Sequence, residues 1–132
     1  MRRSLEISSV PENLRIVEKL IDDISAQHEF ESDMYGKVLV AFVEAVNNSI
    51  IHGNKSNPDK KVKVDVWSAE SKLFITVEDE GPGFNYQNIP DPTAPENIEN
   101  INGRGVFLMN HLSDEVKFHK NGAKVELIFN LV

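Results

Sequence analysis

The hydrophobic period of this chain switches from that of a helix to that of a strand near residue 60, and the switch dictates a layered fold. From Leu14 to Ile50 the apolar residues recur every three or four positions, whereas Val62, Val64 and Val66 alternate with Lys61, Lys63 and Asp65, and Leu73, Ile75 and Val77 keep the same step of two. The first period buries one stripe of a helix and the second buries one face of a strand. Leu14, Val17, Leu20, Ile21 and Ile24 define a first helix, opened by Pro11 and ending near Gln27. Ser32 and Asp33 stand where an N-cap would open a second helix, whose apolar set Val38, Leu39, Phe42, Val43, Val46 and Ile50 runs to Gly53. Residues 3–9 read as a leading strand. After the paired strands, about residues 81–102 carry Pro82, Pro90, Pro92 and Pro95 and exceed the length of an ordinary connection, so 84–102 is expected to form a lid. A short helix at 105–112, a strand at 114–119, the Asn121-Gly122 hairpin signal and a last strand at 123–131 complete the chain. The order predicts one α/β (α+β) domain over 1–132: a two-layer sandwich with a mixed, mainly antiparallel sheet and helices packed on one face.

With 14 Lys and Arg against 21 Asp and Glu, the net charge is −7. Such a surface is not built to neutralise a phosphate backbone, so no nucleic-acid partner is expected. Cysteine is absent, which excludes disulfides and thiolate metal sites. No stretch reaches the ~20 apolar residues of a membrane span, and no signal-peptide pattern opens the chain. The expected setting is cytoplasmic, with no membrane association.

Three stretches carry chemistry. Glu44, Asn48 and His52 are spaced i, i+4, i+8, which places them along one side of the second helix, at its margin. A neutral amide oxygen suits Mg²⁺, an ion that keeps waters and phosphate oxygens in its shell, so Asn48 is the candidate metal ligand. Glu44, one turn away, is placed to orient or deprotonate an attacking hydroxyl or water. Asp79 ends a hydrophobic strand, where a carboxylate can accept from an exocyclic amine such as that of adenine, while Gly81 and Gly83 leave room for a flat base. Gly103 and Gly105 precede Val106, and bare N–H groups at a helix start form an anion site to which Arg104 adds charge. Each stretch has a plain alternative: solvated helix residues for the first, a turn for the second, a solvated arginine in a glycine loop for the third. His28, His111 and His119 show no metal-ligand spacing.

Taken in order, these motifs resemble the GHKL or Bergerat-fold ATPases. Glu44-Ala45-Val46-Asn47-Asn48 through His52-Gly53-Asn54-Lys55, Asp79-Glu80-Gly81-Pro82-Gly83-Phe84, Pro90-Asp91-Pro92-Thr93 and Gly103-Arg104-Gly105-Val106-Phe107-Leu108-Met109 look more closely like the bacterial anti-sigma factor/serine-protein kinase family. The resemblance implies a Bergerat ATP-binding fold with ATP and Mg²⁺ as cofactors, Glu44 as catalytic base, Asn48 on the metal and Asp79 on adenine. Gly81, Gly83, Gly103 and Gly105 would shape the nucleotide pocket and lid. It also implies a homodimer that binds a sigma factor and phosphorylates a small anti-anti-sigma (STAS-type) partner. Segment 84–102 contains no Lys or Arg, so Arg104 and Lys55 are the cations left to meet the phosphates, and Ala123 stands where the family often has a Thr beside the adenine acid. Two other readings belong with this one: an ATP-gated protein-binding module without kinase activity, and a detached histidine kinase-type catalytic domain.

Overall fold

Proline opens the helical layer as expected. Pro11–Asn13 form a 3₁₀ turn that runs into α1 (Leu14–His28), because the ring presets φ and its missing N–H is one that a first turn leaves unpaired. This computed structural model describes residues 1–84 and 101–131. Val17, Leu20, Ile21 and Ile24 are the buried stripe of α1. Glu29 ends the helix in a left-handed conformation, φ 55°, with its N–H returned to the Ser25 carbonyl. Helix α2 spans Ser32–Asn48 and buries Val38, Ala41, Phe42, Ala45 and Val46. The cap expected from Ser32 and Asp33 does not form: Glu31 is the extended residue before the helix, and no side chain caps it. Ser32 is already helical, and Asp33 instead lies in the first turn, where its charge favours the helix dipole. Past Asn48 the helix widens into one π turn, Ser49–Gly53, closed by the Asn54 N–H on the Ser49 carbonyl at 2.8 Å.

Strands β1 (Arg2–Ser8), β2 (Lys61–Ala69), β3 (Lys72–Glu78), β4 (Glu115–His119) and β5 (Lys124–Asn130) form one open sheet in the order β1-β2-β3-β5-β4. Each of these pairings is antiparallel, so the sheet is not mixed among the described residues. The reason lies in the return of the chain: the β4–β5 hairpin, turning at Lys120–Gly122, delivers β5 to β3 running the opposite way. Register aligns Leu5, Val64, Val77, Val125 and Phe118 in one row and Val66, Ile75, Leu127 and Val116 in another. These rows meet the three helices in one core with Phe42, Ile50 and Phe129, each large side chain contributing about 2 kcal/mol by its removal from water. The other sheet face carries charged rows and a stacked Trp67–Phe74 pair, 5.3 Å between centroids.

Helix α3 spans Ile101–Leu112. It therefore starts four residues before the expected Gly105, and both glycines lie inside it. The lid expected over 84–102 lies outside the described residues, apart from Phe84 and the first two residues of α3.

Candidate functional site

Three elements end at the same edge of the core: the wide turn of α2, the loop leaving β3 and the turn between β4 and β5. With α3 they enclose a cavity of about 170 Å³ lined by Asn48, Ser49, His52, Lys55, Asp79, Gly83, Phe84, Met109, Phe118 and Ala123, among others. The helix-borne amide and histidine thus meet the strand-end aspartate in one hollow. Its walls combine apolar side chains with a few convergent polar groups, which is the usual make-up of a small-molecule site.

Asp79 is the most constrained of these groups. Its Oδ1 accepts the Gly81 N–H at 2.8 Å, its carboxylate also takes the Ser49 hydroxyl, and its own N–H donates to the Ala123 carbonyl at 2.9 Å. A Cβ on Gly53 would stand 2.2 Å from Asp79 Oδ2, and one on Gly81 would stand 2.3 Å from the Gly53 carbonyl oxygen. Only glycine at both positions lets the α2 turn and the β3 loop close on the carboxylate. Burial raises the Asp79 pKa above its ordinary value, and the hydrogen bonds from Gly81 and Ser49 work against that rise. Ala123 brings no hydroxyl to Asp79, and Ser49 supplies one from the α2 side.

Gly83 has φ 88° and lies on the β4–β5 turn, where Phe84 donates its N–H to the Asn121 carbonyl at 2.8 Å. Phe84 then meets Phe118 edge to face at 5.7 Å. The Asp-x-Gly-x-Gly run is thereby a turn and a cavity wall at once.

Glu44 and Asn48 lie where α2 meets α3. A Cβ on Gly105 would come within 3.0 Å of Asn48 Oδ1 and 3.1 Å of Glu44 Oε2, so the first and third motifs touch. Burial raises the Glu44 pKa, and the Arg104 guanidinium pulls it back. Gly103, Arg104, Gly105 and Val106 follow one another near the start of α3, and the Val106 side chain is buried in the core. In a helix starting at Ile101, Gly103 lies in the first turn, whose N–H groups have no intrahelical acceptor, whereas Arg104, Gly105 and Val106 follow where the helix ladder takes theirs. Gly105 is a spacer between helices.

Two polar atoms in this region have no partner among the described residues: Asn48 Nδ2 and His52 Nε2 are both buried and unbonded there. An unpaired buried polar atom costs about 1–3 kcal/mol, and such orphans beside a cavity mark where a polar ligand completes the bonding. His52 keeps to the cavity although the wide turn breaks the α-helical spacing. Burial lowers its pKa, and Lys55 lowers it further, so the ring is neutral at pH 7. No group of three His, Cys, Asp or Glu able to hold a metal exists among the described residues. No described helix is long and apolar enough to cross a membrane.

Residues given no individual role from spacing are prominent here: Ser49, Gly53 and Asn54. Ser49 and Asn54 are buried polar residues, a class that leaves no periodic trace. Gly53 was legible only as the end of the apolar run.

Residues 7–129 match the histidine kinase-like ATPase domain family. Among characterised relatives, the serine-protein kinase RsbW of Listeria monocytogenes is 25% identical over 122 residues, covering 88% of this chain and 78% of the relative. The anti-sigma F factor of Bacillus cytotoxicus is 30% identical over 122 residues, covering 89% and 82% respectively. The serine-protein kinase RsbW of Bacillus subtilis is 24% identical over 119 residues, covering 86% and 74%.

Proposed function

The chain belongs to the histidine kinase-like ATPase domain family, in the group of anti-sigma factors and serine-protein kinases, and we propose that it binds ATP and phosphorylates a serine or threonine of a protein partner. The observation that carries this is the convergence of Asn48, His52 and Asp79 on one cavity with Glu44 one turn away. Asp79, held from two sides, accepts the exocyclic amine of adenine, and guanine, with a carbonyl at that position, is refused. Phe84, Met109 and Phe118 flank the base. The polyphosphate runs from there toward Asn48, where the first-turn N–H groups of α3 and the Arg104 guanidinium receive it. Segment 84–102 covers the bound nucleotide as a lid.

Mg²⁺ fits the donor set: Asn48 Oδ1 offers the hard oxygen that would hold the ion, which would keep waters and phosphate oxygens as its other ligands. When bound, it screens phosphate charge. Glu44, whose raised pKa makes it a better proton acceptor than an exposed glutamate, takes the proton of the incoming hydroxyl. His52 stays neutral and donates or accepts a hydrogen bond at the nucleotide. The partners are a sigma factor, which the protein sequesters, and a STAS-type anti-anti-sigma protein, which it phosphorylates; the working unit is a cytoplasmic homodimer.

Incubation with labelled ATP and a STAS-type partner tests this. Wild type transfers label; Glu44→Gln binds ATP and transfers none; Asp79→Asn binds weakly. Normal transfer by Glu44→Gln refutes its role as base. One observation favours a second reading, an ATP-gated binding module: segment 84–102 contributes no Lys or Arg to the developing charge. ATP binding without any label transfer would select it.

A further inference from the structure

We propose that Asn54 is a positioning residue that fixes the base-reading carboxylate of Asp79 to the end of α2; the inference rests on the assignment of Asp79 to adenine. Asn54 follows the wide turn and is 0% exposed. An amide offers two N–H donors and an acceptor oxygen, and all three functions are used. Nδ2 donates to Ser9 Oγ at 2.8 Å and to the Lys61 carbonyl at 3.0 Å. Oδ1 accepts the Glu80 N–H at 2.8 Å. Ser9, also 0% exposed, hands its own proton to the Lys60 carbonyl at 2.8 Å, and Glu80 Oε2 accepts the Lys61 N–H at 2.5 Å. One side chain thus joins the segment after β1, the start of β2 and the loop leaving β3 to the end of α2.

Its sequence neighbours show what the junction is for. Gly53, immediately before Asn54, is the residue whose α-carbon abuts the Asp79 carboxylate. Asp79 immediately precedes Glu80, whose N–H the Asn54 amide holds. Gly81, immediately after, leans on the Gly53 carbonyl and gives its N–H to Asp79. Clamping 54 to 80 sets the spacing of 53 to 79 and 81. Serine is too short to span the three partners, and aspartate keeps the acceptor but loses both donations. Neither Asn54 nor its partners Ser9, Lys61 and Glu80 line the cavity, so the amide acts on the nucleotide indirectly, through the placement of Asp79.

A misplaced Asp79 harms recognition of the exocyclic amine and leaves the phosphate end intact. The test measures affinities of wild type and Asn54→Asp for Mg-ATP and for purine riboside triphosphate, which lacks that amine. Asn54→Asp should weaken Mg-ATP by about ten-fold or more and the amine-free analogue by less than about three-fold. In label transfer, KM for ATP rises and kcat stays within about two-fold. Equal losses for the two nucleotides would show a general structural effect and overturn the inference. Because the variant can fail to fold, hydrogen exchange at the Glu80 amide of the wild-type chain is a second measurement. Protection comparable to the β2–β3 ladder is expected, and exchange at the rate of an open loop amide overturns the clamp. Absence of Mg-ATP binding by wild type would instead refute the nucleotide reading on which the inference rests.

Discussion

Replacing Gly53 by alanine separates a steric requirement from a conformational one. Gly53 is not among the glycines with positive φ, so alanine suits its backbone and the only obstacle is the space its methyl would enter. That space holds Asp79, with Oδ2 at 2.2 Å, Cγ at 2.3 Å and Oδ1 at 2.6 Å from where the methyl carbon would stand. Ordinary contact begins near 3.4 Å, so the carboxylate must retreat by about 1 Å. Retreat breaks its bonds to the Gly81 N–H and the Ser49 hydroxyl. Two hydrogen bonds to a charged group are worth about 3–6 kcal/mol, from which about 0.5–1 kcal/mol is recovered by stiffening the unfolded chain. A net loss of about 2–5 kcal/mol lowers Tm by about 8–20 °C in a chain of this size. Gly36 is the control: nothing lies within 4 Å of a Cβ built there, and it sits within α2. Gly36→Ala should gain about 0.8–1 kcal/mol from helix propensity and raise Tm by about 3–4 °C. Thermal melts of both variants, with and without Mg-ATP, decide the matter. Gly53→Ala melting within about 2 °C of wild type, with Mg-ATP still raising its Tm, would refute the packing of this turn on Asp79.

Further outcomes follow from groups held in unfavourable states. Glu44 has a raised pKa, so its share of stability is complete below the ordinary value of 4.5 and is lost as pH rises through the folded value; Glu44→Gln should therefore melt higher than wild type at pH 7 and level with it at pH 4. His52 has a lowered pKa, so its contribution is complete above the ordinary value of 6.5 and is lost as pH falls through the folded value; melts between pH 7 and 5 should show a steeper decline in wild type than in His52→Gln. The β2–β3 turn holds Glu70 at φ 52° and Ser71 at φ 61°, and Glu70→Asn with Ser71→Gly, the pair such a turn prefers, should add about 1 kcal/mol on denaturant unfolding.

What could be read directly from the chain was whatever repeats. Val62, Val64 and Val66 announce their face because each strand residue answers to the same core, and the α1 stripe does so at its own period. The polar row on α2 was legible for the same reason, since Glu44 and Asn48 share a face that the buried set leaves free. Contacts made once leave no such trace. Ser49 on Asp79, Asn54 across three segments and Glu31 rather than Ser32 at the start of α2 depend on where distant backbone groups stand. The all-antiparallel pairing likewise depends on the path of the chain into β5, which spacing within a strand does not encode.

The start of α3 shows how a local rule can be right about cost and wrong about outcome. Gly103 and Gly105 each disfavour a helix interior by about 1 kcal/mol relative to alanine, so a helix beginning at Gly105 is the locally cheaper choice. Extending it to Ile101 therefore costs about 2 kcal/mol. Val106 and Met109, 0% and 2% exposed, belong to the helix with either start, and burying two such side chains contributes about 4 kcal/mol that holds α3 docked and tolerates the extra turn. Docking in turn needs a residue without a side chain where α3 meets Glu44 and Asn48, and Gly105 is that residue. The glycine that weakens the helix is what admits it to the core. On the proposed function the donors that meet phosphate accordingly lie upstream, in the first turn with Gly103, and Arg104, whose guanidinium pulls on Glu44, follows directly. On the proposed function, phosphate recognition and placement of the Glu44 base then depend on one helix–helix contact, so any change that lifts α3 from α2 should impair both together.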